Sequence, residues 1–442
     1  MTSVAGDFDS SNEIEDYVRL LLTQKKGYPL WNPRPGDWLP PVYKEAGVRI
    51  GDVGIVTEFG EFDYLFNVCL PPDDPVNAGR VPENFKHIEG IDICDVSWST
   101  QEYGPGAYVA SKASPFNRAR LEGLRIPGVP EEIGTGISWR SSITRGALLI
   151  LPEGGKSENY PHLSKFYQLA AECAHSWYDF VNGPLARGVR NNSIYLVTGC
   201  DKARAWGVAS FTDAPADSVS LDFVPRLTQN GAREYWFRNC DFAASSSGTS
   251  HDTNPAGCVF LRGFKVAVRS SQFTRRQSNF QVAYISKLEA DELPPTRVES
   301  PPTMWQWLSH YMGLTIFSRM FSERRNFISA SSDHDEYDST KYQIYHPSDV
   351  INKCILNKYK EVDIAITHDN EWAFVIETDD VNMPEDKELF HRMHEFLKFS
   401  KSGQHTFAYF ELPPQPNHSS EGERAVEPYN NFSTDSEGTS VP

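Results

Sequence analysis

Residues 193–211, SIYLVTGCDKARAWGVASF, contain two runs of strand-forming residues separated by a polar break. Apolar and β-branched side chains fill 194–198, Gly and charged residues occupy much of 199–205, and an aromatic and small apolar run resumes at Trp206. Two such runs about a Gly-containing interruption predict a β-hairpin, with Cys200, Asp201 and Lys202 at its tip. Ile194, Leu196, Val208 and Phe211 then fall in the core. Trp206 is expected to pack against the helix that precedes the hairpin.

That helix is read from Leu163, Phe166, Tyr167, Ala170, Cys173, Ala174, Trp177, Tyr178 and Val181, whose spacing makes one broad apolar stripe. Asn182, Gly183 and Pro184 end it. Upstream, GALLIL at 146–151 has the composition of a buried strand, and 50–57 and 62–70 flank a turn at Gly60 as a second hairpin. Ser10 and Glu13 are spaced as a capping box, so an amphipathic helix is expected over about 11–25. Downstream, strands are expected at 218–223, 234–237 and 258–269, with 243–257 a polar loop.

This order predicts an α+β fold: a mostly antiparallel sheet domain over 28–288 with one major amphipathic helix, preceded by the N-terminal helix within 1–27. Pro294, Pro295, Pro301 and Pro302 mark a hinge, followed by an aromatic helix at 303–321 and an acidic linker that completes 289–341. A small C-terminal helical or αβ module is expected at 342–400, where Pro347 suits a first helical turn and 362–367 a strand. Residues 401–442, rich in Pro, Ser, Glu and Asn, read as a mostly disordered tail.

The chain of 442 residues carries a formal charge of −17. Such a field repels phosphate backbones, and only short basic pairs oppose it, so nucleic acid is not an expected partner. Seven scattered cysteines with no Cys-x-x-Cys spacing point to a reducing compartment. With neither a secretory h-region nor a bilayer-length apolar run, the expected setting is cytoplasmic and soluble.

Motifs for chemistry are sparse. Gly154-Gly155-Lys156-Ser157 approaches a phosphate-binding loop, but the Gly required five residues before its final Gly is Ile150, so an exposed turn is expected. His391 and His394 lie one helical turn apart without an evident third ligand, and no metal or cofactor is expected. The least implausible catalytic participants are Cys200 beside Lys202, Asp201, and His368 or His251. A cation lowers a thiol pKa, and Thr367-His368-Asp369-Asn370-Glu371 follows a predicted strand. Asp369 or Asn370 serves equally as a helix N-cap.

Three blocks of the chain carry a family resemblance: WNPRPGDWLP at 31–40 with the 50–70 hairpin, 195–211 with FLRGF at 260–264, and HPSDVIN at 346–352. They resemble a family of proteins of mushroom-forming fungi. That family brings no known reaction or ligand, so the resemblance implies no functional residue.

The leading expectation for function is a non-enzymatic, intracellular binding or regulatory protein with a protein partner. A hydrolase or transferase with a site assembled from distant loops is the alternative, and a membrane-active or assembly protein using the 303–321 helix is the third.

Overall fold

The computed structural model describes residues 10–91, 95–112, 116–123, 125–250, 254–269, 344–403 and 405–413. His251, the aromatic stretch 303–321 and the acidic linker lie outside the described residues. The chain begins with α1 (Ser10–Leu22), β1 (Tyr28–Pro29) and α2 (Pro41–Ala46). It continues through β2 (Asp52–Val56), β3 (Phe62–Asn67), β4 (Ser97–Tyr103), β5 (Ala107–Ala110), β6 (Phe116–Arg120), β7 (Ile137–Ser141), β8 (Gly146–Leu151) and β9 (Gly155–Asn159). Helix α3 (Ser164–Asn182) leads into β10 (Ile194–Ala203), β11 (Ala205–Phe211), β12 (Val219–Leu227), β13 (Arg233–Asp241), β14 (Ala244–Thr249) and β15 (Gly257–Val268). The C-terminal part holds α4 (Pro347–Lys358), β16 (Ile364–His368), α5 (Asp369–Val375), α6 (Asp386–His394), β17 (Leu397–Ser402) and β18 (His405–Phe410).

These strands form a ten-stranded sheet with the order β17-β18-β16-β15-β10-β2-β3, to which β1, β9 and β4 are added at the side. Two four-stranded sheets, β14-β11-β8-β5 and β13-β12-β7-β6, complete an α+β architecture. Among the described residues every ladder is antiparallel except β16 with β18. Residues 344–410, set apart in sequence by proline and acidic punctuation, thus extend the same sheet as β10 and β15.

The stretch 193–211 is not a hairpin. Its two runs do not pair with one another: β10 pairs with β15, β2 and β9, whereas β11 pairs with β14 and β8. The chain passes from the large sheet into a second one at Arg204. Gly199 marks a bulge rather than a turn, and a Cβ there would overlap the side chain of Asn159. Cys200, Asp201 and Lys202 are buried mid-strand, so their polarity signals internal pairing and not a solvated tip.

Burial follows from this passage between sheets. Ile194 and Leu196 share a core with Phe166, Ala170, Ala174, Trp177 and Val181 of α3, which covers one face of the large sheet. Trp206, by contrast, packs over Gly248 and Gly257 in the core that includes Tyr17, Leu20 and Leu21 of α1, not against α3 as the sequence had suggested. Strand β8 is buried on both sides: Ala147, Leu149 and Leu151 face the α1 core, and Leu148 and Ile150 face Trp139, Leu221 and Phe223 across a two-sheet sandwich. The expected 243–257 loop contributes β14, whose small residues leave room for the Trp206 indole.

Candidate functional site

Strand β9 lies beside β10 in the register Asn159↔Gly199, Glu158↔Cys200, Ser157↔Asp201 and Lys156↔Lys202. Because side chains alternate along a strand, this pairing sorts the polar residues into two sets on opposite faces. Ser157, Asn159 and Asp201 face one way together with Arg262, which sits opposite Gly199 on β15. Lys156, Glu158, Cys200 and Lys202 face the other.

The first set lines a recess of about 420 Å3, shared with Lys25, Lys26, Glu102, Thr198, His368 and Asn370. Arg262 is its hub. The guanidinium donates to Asp201 Oδ1 at 2.6 Å, to Ser157 Oγ at 3.0 Å, to the Lys26 carbonyl at 2.7 Å and to Asn159 Oδ1. Tyr103 donates its hydroxyl to the other Asp201 oxygen at 2.6 Å. Burial and then the adjacent Asp201 carboxylate push the Tyr103 phenol well above its ordinary pKa, which keeps it a donor. On Arg262, burial works against the charge, but Asp201 outweighs it and holds the guanidinium pKa up.

The structure brings His368 to this recess as a structural residue. Its Nδ1 accepts from the Asn370 amide at 3.1 Å, and the Glu371 side chain accepts from the His368 amide at 2.8 Å, a reciprocal cap on α5. With Nδ1 an acceptor, the proton of the neutral ring sits on Nε2, 2.7 Å from Thr198 Oγ1. Thr198 in turn donates to the Arg262 carbonyl at 3.3 Å. Burial, then the charge of Arg262, lowers the His368 pKa to about 3, so the ring stays neutral.

Beneath His368 lies a buried polar layer that fixes α4 and α5. Asp369 accepts from the Trp372 indole at 2.9 Å, from the Gly263 amide at 3.1 Å and from the Tyr195 hydroxyl, yet burial still raises its pKa to about 7. His346 caps α4 through Nδ1, accepting from Ser348 N at 3.1 Å, and stacks on Tyr28. Lys265 pairs with Asp349 at 2.7 Å.

Cys200 and His368 are not brought together. The thiol is buried on the opposite face of β10, 3.7 Å from the Val48 carbonyl and 4.0 Å from Glu158. Lys202, expected to activate it, gives its ammonium to Glu158 and the Ala46 and Val48 carbonyls at 3.0–3.3 Å. Gly155-Lys156-Ser157 is extended strand, and a turn at Pro152–Gly154 precedes it. His394 sits 2.6 Å from Tyr359 Oη and 2.9 Å from Lys358 Nζ, and no cluster of His, Cys, Asp and Glu suited to a metal occurs among the described residues.

Asp201 and His368 were singled out in sequence, whereas Arg262, Tyr103, Asn159 and Lys26 were not. Arg262 carried a usable signal: an arginine between Leu261 and Gly263, in a strand whose one other charge is Lys265, calls for a buried partner. No family model matches the chain, and no curated protein matches it.

Proposed function

We propose that this is a non-enzymatic binding protein whose β9–β10–β15 recess receives an anionic group, such as an acidic side chain of a protein partner. One observation carries the reading: the groups suited to catalysis in the recess are already committed to one another. His368 spends both ring nitrogens on a helix cap and Thr198, Asp201 is held between Arg262 and Tyr103, and the Thr198 hydroxyl is engaged on both sides. Among the described residues lining the recess, no free base stands beside a free nucleophile, which is the arrangement acyl or phosphoryl transfer needs.

The charge balance favours an anion. Lys25, Lys26 and Arg262 face Glu102 and Asp201 here, an excess of one positive charge in a chain whose overall charge is −17. Lys26 sits at the rim, 3.2 Å from Glu102 and 4.8 Å above the Tyr103 ring, with ammonium protons left for a ligand.

The test is fluorescence anisotropy with a labelled hexaglutamate peptide and its glutamine counterpart. The acidic peptide should bind saturably, weaken with salt, and lose about tenfold in affinity in Lys26→Glu, while the glutamine peptide should not bind. Equal binding of both peptides, or none of either at low salt, overturns the proposal. Hydrolase activity that disappears in Thr198→Val would place the protein among enzymes instead.

A further inference from the structure

The opposite face of the β9–β10 ribbon holds a second cavity of about 510 Å3, a size that suits a small organic ligand. Its walls are Ile50, Leu70, Ile91, Val96, Trp98 and Pro255. Its polar floor is Lys156, Glu158 and Lys202. We infer that this cavity is a binding site for a small aromatic monocarboxylic acid, independent of the recess proposed above.

The register makes the floor. Trp98 of β4 stands directly opposite Glu158, which stands opposite Cys200, while Lys156 stands opposite Lys202. One carboxylate therefore meets two ammonium groups: Glu158 Oε1 lies 2.8 Å from Lys156 and Oε2 lies 3.0 Å from Lys202. The two cations differ in availability. Lys202 is buried and directs its ammonium to Glu158 and two backbone carbonyls. Lys156 is part-exposed, and among the described residues its charged group contacts Glu158 and lies 5.4 Å above the Trp98 ring.

The floor thus carries one positive charge in excess, and Glu45 and Arg49, which also line the cavity, add no net charge. A single carboxylate matches that excess, whereas a dianion would bring a charge with no partner beside Glu158. Trp98, 49% exposed, supplies a flat apolar surface next to Lys156. A ligand with an aromatic body and one carboxylate uses both features: the ring lies on the indole and the aliphatic walls, and the carboxylate accepts from Lys156.

The experiment is isothermal titration of the full chain with 2-naphthoate and with the neutral 2-naphthalenemethanol. Naphthoate should fill one saturable site and bind about tenfold more tightly than the alcohol. Lys156→Met should remove that preference while leaving the alcohol's affinity unchanged, and Trp98→Ala should weaken both ligands. Both replaced side chains reach solvent, so thermal melts of the variants should match the parent. Lys26→Glu, on the other face, should leave naphthoate binding intact even if peptide binding fails. Absence of saturable naphthoate binding at millimolar concentration overturns the inference, as does an unchanged preference in Lys156→Met or loss of binding in Lys26→Glu.

Discussion

Arg262 and Asp201 form a charged pair in which the aspartate is almost completely removed from water. Breaking such a pair costs more than the pair itself contributes, because the remaining charge keeps its desolvation penalty. Arg262→Met should therefore destabilise the protein by about 3–5 kcal/mol. Adding Asp201→Asn should recover part of that loss, since the stranded charge disappears, and urea unfolding of the four members of the cycle measures the coupling. His368 gives a pH prediction. Its folded pKa, lowered to about 3 by burial and Arg262, lies below the ordinary value of 6.5. The neutral ring's contribution is fully present above about 6.5 and is lost as pH falls towards 3. His368→Asn, which keeps an N-cap acceptor, should make the melting temperature less sensitive to acid over that interval. Asp369 works in the other direction: its pKa is raised to about 7, so its contribution is present below about 4 and declines as pH rises through 7. An unchanged acid slope in His368→Asn would show that other groups dominate it.

At the scale of elements, Leu196 of β10 and Trp206 of β11 are buried in different cores, and substitutions separate them. Leu196→Ala opens a cavity under α3, whereas Trp206→Ala empties the space over Gly248 and Gly257 beside the α1 core. Each should cost on the order of 2–5 kcal/mol. Because they share no cluster, the double variant should show additive losses in chemical denaturation. A coupling above about 1 kcal/mol would mean that the sheets respond as one unit. Much of this layout was readable in sequence. Helical periodicity gave α1 and α3, the apolar run at 146–151 gave β8, and the turn at Gly60 gave the β2–β3 pair. Strand partnership was not readable, since a polar segment inside a sheet has the same composition as a turn. Cys200-Asp201-Lys202 is stabilised by Glu158, Arg262 and Tyr103, which come from three strands distant in sequence, and nothing local reports them. The same limit hid β14, whose Ser and Gly residues suit the neighbouring Trp206 indole rather than any strand propensity. It also hid the recess: Asp201 and His368 stood out as residue types and Arg262 as a charge inside a strand, but which of them meet is read only from register.

For the whole molecule, the question is whether residues 344–413 stand apart or belong to the main fold. Strand β16 lies between β15 and β18, and Ile364 and Ile366 join the α3 core. On the other side of the sheet, Ile351, Ile355, Trp372 and Met393 share a core with Tyr17 and Tyr28. Polar contacts cross the same boundary, including Lys265 with Asp349, Tyr195 with Asp369 and Asn192 with Asn352. A chain ending at Arg269 would expose the β15 edge and the apolar surface on both sheet faces, and would take from Lys265 its carboxylate partner. It should consequently fail to fold cooperatively and should associate through the uncovered edge, detectable as lost near-ultraviolet dichroism and early elution in size-exclusion chromatography. Ile366→Asp in the full chain removes the same contact at one point without shortening the protein, and should lower the melting temperature sharply. A truncated chain that remains monomeric with a sharp thermal transition would show that the main sheet is complete without its C-terminal strands.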